Sequence, residues 1–167
     1  MSAAEVADRK RERHAATGRR RSVARLGAVQ ALYQLALNPG LAADMVVGEF
    51  RLHRLGREID GETYGEADEE LFTDIVRGVA RHRERLDETI SASLTDEWPL
   101  RRLETILRLI LEAGAYELAH RPDIPPRVTL SEYVAIAYAF FDGKEPGLAN
   151  GVLNRLARAL RADELQA

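Results

Sequence analysis

The chain has 167 residues, 46% hydrophobic and 31% charged, with 24 Lys+Arg against 27 Asp+Glu and no cysteine. That apolar content excludes wholesale disorder, the length suits one domain or two small subdomains on a shared core, and the missing cysteines exclude a disulfide scaffold, a thiolate zinc site and a cysteine nucleophile. No apolar run approaches the ~20 residues of a membrane span, and the opening MSAAEVADRKRERH has no apolar signal segment, so a cytoplasmic protein is expected.

Charge is segregated along the chain. Residues 1–25 hold eight basic side chains and three acidic ones, a net +5, and the rest of the chain carries −8. A basic head on an acidic body is the pattern of a polyanion-binding arm. Residues 1–18 read as a flexible basic extension, and residues 19–25 as running into the first helix.

Apolar residues then recur at helical spacing. A first helix is expected over about 20–37, stopped by Asn38-Pro39-Gly40, and a second over about 42–55 with Met45, Val46, Phe50 and Leu55 inward. Residues 56–66, with Gly56, Gly61 and Gly65, read as a polar connection. A long third helix, about 67–94, carries the stripe Leu71, Ile75, Val79, Leu86 and Ile90, with Asp68, Glu69 and Glu70 at its start. Asp96 to Pro99 interrupt the pattern, and Trp98 there is expected to anchor the two halves.

The fourth helix, about 100–120, is apolar on several sides and should be the central element. After Pro122, Pro125 and Pro126, Thr129-Leu-Ser-Glu132 has capping-box spacing and predicts a fifth helix over about 130–141. A sixth is expected over about 147–162, with Asn150 in a structural role. The class is all-α, dividing into subdomains of residues 19–95 and 96–167.

Catalytic signatures are missing. The four histidines, His14, His53, His82 and His120, form no close pair, and HExxH, GxGxxG and GxSxG are absent. Gly143-Lys144 is followed by Glu145, so it is no P-loop. No catalytic residue, cofactor or metal is expected, and the chain does not read as an enzyme.

Arg19-Arg-Arg-Ser-Val-Ala-Arg25 with Gln30-Ala-Leu-Tyr-Gln34 resembles the opening of the NusB transcription antitermination factors. Ala113-Gly-Ala-Tyr-Glu-Leu118, Pro122-Asp-Ile-Pro125, Ser131-Glu-Tyr-Val134, Phe140-Phe-Asp-Gly143 and Asn150-Gly-Val-Leu153 follow in that family's order and spacing. The resemblance covers nearly everything from Arg19 to Ala159. It implies a six- to seven-helix bundle in two three-helix subdomains that binds the boxA element of ribosomal RNA transcripts. It implies further that the protein does so with the ribosomal protein NusE, in a complex on RNA polymerase that suppresses termination, with neither catalysis nor cofactor.

By the same resemblance Arg19, Arg20, Arg21 and Arg25 hold phosphates, Gln30 and Tyr33 lie near RNA, and Phe140 faces it across the subdomain boundary. Four positions depart from the family's habit: Glu112 stands where an arginine is common, a change expected to alter a surface salt bridge or a partner contact, and Lys144, Ser131 and Asn154 also differ. A helical protein-interaction adaptor without specific RNA binding is the competing expectation, and monomer and homodimer both remain open.

Overall fold

The computed structural model describes residues 1–55 and 66–165, together with the backbone of 58–59 and 62–63. Gly56, Gly61 and Gly65 of the expected polar connection lie outside the described residues. Among the described residues seven α-helices follow in order: α1 (Ala3–Leu37), α2 (Ala43–His53), α3 (Glu69–Ser91), α4 (Thr105–His120), α5 (Pro126–Phe140), α6 (Glu145–Leu160) and the short α7 (Ala162–Leu165). A two-residue antiparallel ribbon, Glu58–Ile59 on Glu62–Thr63, precedes α3, and a 3-10 turn, Leu100–Arg102, precedes α4. Among the described residues the architecture is all-α apart from that ribbon.

Boundaries follow local chemistry. α1 begins at Ala3, well before the expected residue 20, because Ser2 and Glu5 form a capping box: the Glu5 amide donates to Ser2 Oγ and the Ser2 amide to Glu5 Oε2. Residues 3–15 are exposed throughout, so this turn-by-turn extension rests on its cap and its own backbone ladder rather than on packing. At the other end the Asn38 side chain donates to the Gln34 carbonyl, and Pro39-Gly40 turns the chain. Asp68 caps α3 by accepting from the Leu71 amide, and its own amide donates to the Arg20 carbonyl, which ties α1 to the start of α3.

α5 corrects the sequence-based expectation. It starts at Pro126, where proline's fixed φ and missing N–H suit a first turn. Thr129 lies one turn inside, buried, with its hydroxyl toward the Glu117 carboxylate at 3.5 Å, so it does not cap the helix. Trp98 also departs from expectation: it stands 45% exposed and anchors nothing in the core.

The core is one continuous cluster drawn from α1 to α6. α4 sits at its centre, with residues 109–118 all buried, and packs against α1, α3, α5 and α6. Small residues permit the close approaches. A Cβ on Gly78 would lie 2.1 Å from the Tyr116 ring, and one on Gly114 would lie 2.8 Å from Leu153, so α3 and α6 both reach α4 over glycine.

Two buried carboxylates on α4 need partners, because an unpaired buried charge is costly. Glu117 belongs to the network described below. Glu112, expected at the surface, is 1% exposed: Arg83 Nε donates to it at 3.1 Å, and Arg108 Nη2 donates to the neighbouring Asp87 at 2.5 Å. Burial pushes the Glu112 carboxyl up to about 8, its hydrogen bond with Asp87 pushes the same way, and the Arg83 charge offsets part of this.

A carboxyl that is protonated in the folded state and ionised in the unfolded one favours folding at low pH. That stabilisation is complete below the ordinary glutamate value and is lost as pH rises through about 8. Unfolding free energy should therefore fall by up to about 1.4 kcal/mol per pH unit between about 4.5 and 8. Glu112→Gln should abolish that component; urea midpoints across the range check it, and identical slopes in both proteins would mean that Glu112 is ionised throughout.

Candidate nucleic-acid interface

α1 carries the side chains of the candidate site on one stripe. Steps of four, three, four and three from Arg19 reach Val23, Leu26, Gln30 and Tyr33, which places all five along one face of a 3.6-residue helix. Beyond Arg19 that stripe opens into a groove of about 840 Å³. Leu26, Val29 and Ile106 form part of its apolar lining, Gln30, Gln34 and Asn38 supply amides, and Tyr33 and Phe140 bring aromatic rings from α1 and α5. Tyr33 is 37% exposed and Phe140 40%, so each ring has one part in the wall and another open to solvent. Phe141 instead packs against the core, which resolves the adjacent pair into one core and one groove residue.

The groove's remaining wall was not anticipated. It comes from the end of α2 and the residues just after it: Phe50, His53, Arg54 and Leu55. Gly27 lets this wall close on α1, since a Cβ there would sit 2.7 Å from a Leu55 methyl. The arginine expectations split. Arg19 is exposed, heads the groove stripe and has no ion pair among the described residues. Arg20 lies 3.9 Å from Glu66 in an exposed pair that is weak and readily exchanged for a phosphate, whereas Arg21 lies 3.5 Å from the half-buried Asp68 and its Nε is shielded from solvent.

Arg25 cannot hold a phosphate. It is 1% exposed and grips Glu117, itself 0% exposed, with Nε at 2.9 Å from Oε2 and Nη2 at 3.0 Å from Oε1. The cause is its azimuth: Ala24, Ala28, Val29 and Leu32 are buried around it, so that side of α1 faces the core. Burial alone would lower the guanidinium, but the hydrogen bonds and charge of Glu117 outweigh it and hold it above its ordinary value.

The network extends to α5. Arg25 Nη1 lies 3.7 Å from Glu132 Oε1, and Ser22 Oγ donates to the same carboxylate at 2.8 Å. The fully buried Tyr133 hydroxyl is pushed well above the ordinary tyrosine value by burial and by the Glu117 charge. The arginine read as a nucleic-acid contact thus pins α1 to α4 and α5, and so sets where Tyr33 and Phe140 meet.

A second polar cleft, lined by Asp44, Arg51, Glu69, Asp74 and Arg77 among others, lies between α2 and α3. Most of its charges are paired, Arg77 with Asp44 at 2.6 Å, Arg51 with Glu69 at 3.1 Å, and Glu70 and Asp74 with Arg121 outside it. Half of that cleft's lining is charged, whereas the groove is mostly apolar and sets Tyr33 and Phe140 with three amides below the exposed Arg19. Among the described residues no cluster of His, Asp and Glu is arranged to hold a metal ion, and no helix is long and apolar enough to cross a membrane.

Comparison with known proteins identifies relatives of the chain and of its fold. The transcription antitermination protein NusB of Rhizobium johnstonii is 49% identical over 156 residues, spanning 93% of this chain and 97% of that protein. Its namesake in Bradyrhizobium diazoefficiens is 49% identical over 145 residues, 87% of each chain. T. maritima NusB has the same fold, with a TM-score of 0.72 at 24% identity, covering 87% of this chain and 96% of that one. A chain from a crystal structure of a plectonemic RNA supercoil shares it too, with a TM-score of 0.67 at 23% identity over 83% and 94% of the two chains. The profile described as NusB family matches residues 22–158, and with most of its length so matched this chain belongs to the NusB family.

Proposed function

We propose that this protein is an RNA-binding transcription antitermination factor whose groove takes the single-stranded boxA element of ribosomal RNA transcripts. In this proposal it acts together with the ribosomal protein NusE, as part of a complex on RNA polymerase, and by binding alone. The observation that carries the proposal is the convergence of Gln30, Tyr33 and Phe140, from two helices far apart in sequence, on one groove whose stripe ends in Arg19. Unpaired bases are recognised by stacking on aromatic rings and by hydrogen bonds to their edges, and the backbone is held by cations. The groove offers all three. Family membership and the names of the rhizobial relatives support the same function.

NusE is basic in character as a ribosomal protein, and the body of this chain, at −8 outside its first 25 residues, complements it electrostatically. Titrating a labelled boxA RNA with the protein, with and without purified NusE, tests the proposal. Selective binding that NusE strengthens is expected. Equal, weak binding of boxA and scrambled RNA would overturn it in favour of a protein-interaction adaptor.

A further inference from the structure

The wall contributed by α2 ends in a guanidinium laid on an aromatic ring. Arg54 Cζ lies 4.8 Å from the centroid of Phe50, and Phe50, buried at 1% exposure, is itself stacked on Phe72 at 5.6 Å with 23° between the rings. Arg54 therefore rests on a fixed tier rooted in the core. Its ends are lightly tethered: Nη1 donates to Gln34 Oε1 at 3.5 Å, and Nη2 lies 4.0 Å from Glu49 Oε1. Its side chain is still 48% exposed.

We infer that Arg54 is a base-stacking residue of this groove, with one face of its guanidinium on Phe50 and the other receiving a nucleobase of single-stranded RNA. The inference rests on the groove being the RNA site. A planar, weakly hydrated cation stacks on both of its faces, which a lysine ammonium does not. Glu49 and Gln34 meet the ends of the guanidinium, at 4.0 and 3.5 Å, and leave its flat face to a base. The contact is also suited to bases of any identity, since every base has a π-face.

The experiment measures the affinity of wild type, Arg54→Ala and Arg54→Lys for a short single-stranded boxA RNA over a range of salt, and for copies of that RNA abasic at one position each. Stacking predicts that Ala and Lys both weaken binding by roughly five- to fiftyfold, and that the Lys variant keeps the wild-type salt slope. It predicts also that one abasic position erases the difference between wild type and variants. Full rescue by lysine, with a slope reduced by about 0.7 in the Ala variant alone, would make Arg54 a phosphate contact and overturn the inference.

Unchanged affinity in both variants would overturn it as well, as would a penalty that persists at every abasic position, which marks a purely structural role. Thermal unfolding of the variants controls for the lost Phe50 contact. If wild type fails to bind the RNA at all, it is the function assigned to the groove that has failed, an outcome distinct from wild-type binding that ignores Arg54.

Discussion

Arg25→Ala is expected to lower the unfolding free energy by about 3–5 kcal/mol, the cost of stranding a buried partner charge. The variant leaves the Glu117 carboxylate, at 0% exposure, without its two short guanidinium bonds. Arg25→Lys should recover little, because one ammonium cannot reproduce a side-on, two-nitrogen contact. The double variant Arg25→Met with Glu117→Leu should recover most of the loss, since it removes both charges from the interior together. Urea unfolding of the four proteins checks the set. A loss below about 1 kcal/mol for Arg25→Ala would mean that the pair behaves as an exposed one.

Because this pair joins α1 to α4, and Glu132 and Thr129 extend it to α5, the single variant should also loosen the groove. RNA affinity would then fall through displacement of Tyr33 and Phe140 rather than through a lost phosphate contact, leaving the salt slope unchanged. Arg19→Ala should show the opposite signature, full stability with a slope reduced by about 0.7.

The second large effect is on RNA. Tyr33→Ala and Phe140→Ala are each expected to weaken boxA binding by roughly ten- to a hundredfold, the scale of one base stacked on one ring. If both rings touch the same base, the double variant will lose less than the sum of the two, because the second truncation removes a partner already gone. Tyr138→Ala is the control: it lies on α5 two residues from Phe140 and is 68% exposed, yet it does not line the groove. Its affinity should be unchanged. Fluorescence anisotropy on these four variants and wild type decides the matter, and equal affinity of Tyr33→Ala and wild type would remove the groove from consideration.

Helix positions were legible in the sequence to different degrees. α3 was easy to read, with its stripe from Leu71 to Ile90 and its acidic start, because a partly exposed helix advertises its period. The N-terminal extension was harder: it has no apolar stripe, and only the Ser2–Glu5 cap, recognisable as S-x-x-E, signalled a start at Ala3. Thr129 to Glu132 had the same spacing and was not a cap, since Pro126 had already opened the helix and a buried carboxylate claimed the threonine hydroxyl. Capping-box spacing predicts a helix start only where no stronger start precedes it.

The site was legible in part. Arg19, Gln30 and Tyr33 share a helical stripe by spacing alone, so their alignment needed no structure. Phe140 stood next to Phe141, and nothing local distinguished the groove ring from the core ring. Glu117 carried one unused signal: a carboxylate inside Ala113-Gly-Ala-Tyr-Glu-Leu118, on a helix apolar all round, demands a buried cation. The sequence offers 24 basic residues for that role, and local pattern does not choose among them.

The amino-acid sequence by itself therefore determined the all-helical class, the breaks at Asn38 and Asp96, the segregation of charge and the family, because these depend on local period, turn chemistry and motif order. Tertiary structure alone decided which face of α1 is inside, that Arg25 belongs to Glu117 across 92 residues while Arg19 stays in solvent, and that the end of α2 completes the groove. The physical reason is that helical period sets the angles between residues within one helix, whereas a residue's surroundings depend on how helices are rotated against one another. That rotation is fixed by close packing and by the pairing of buried charges over long separations.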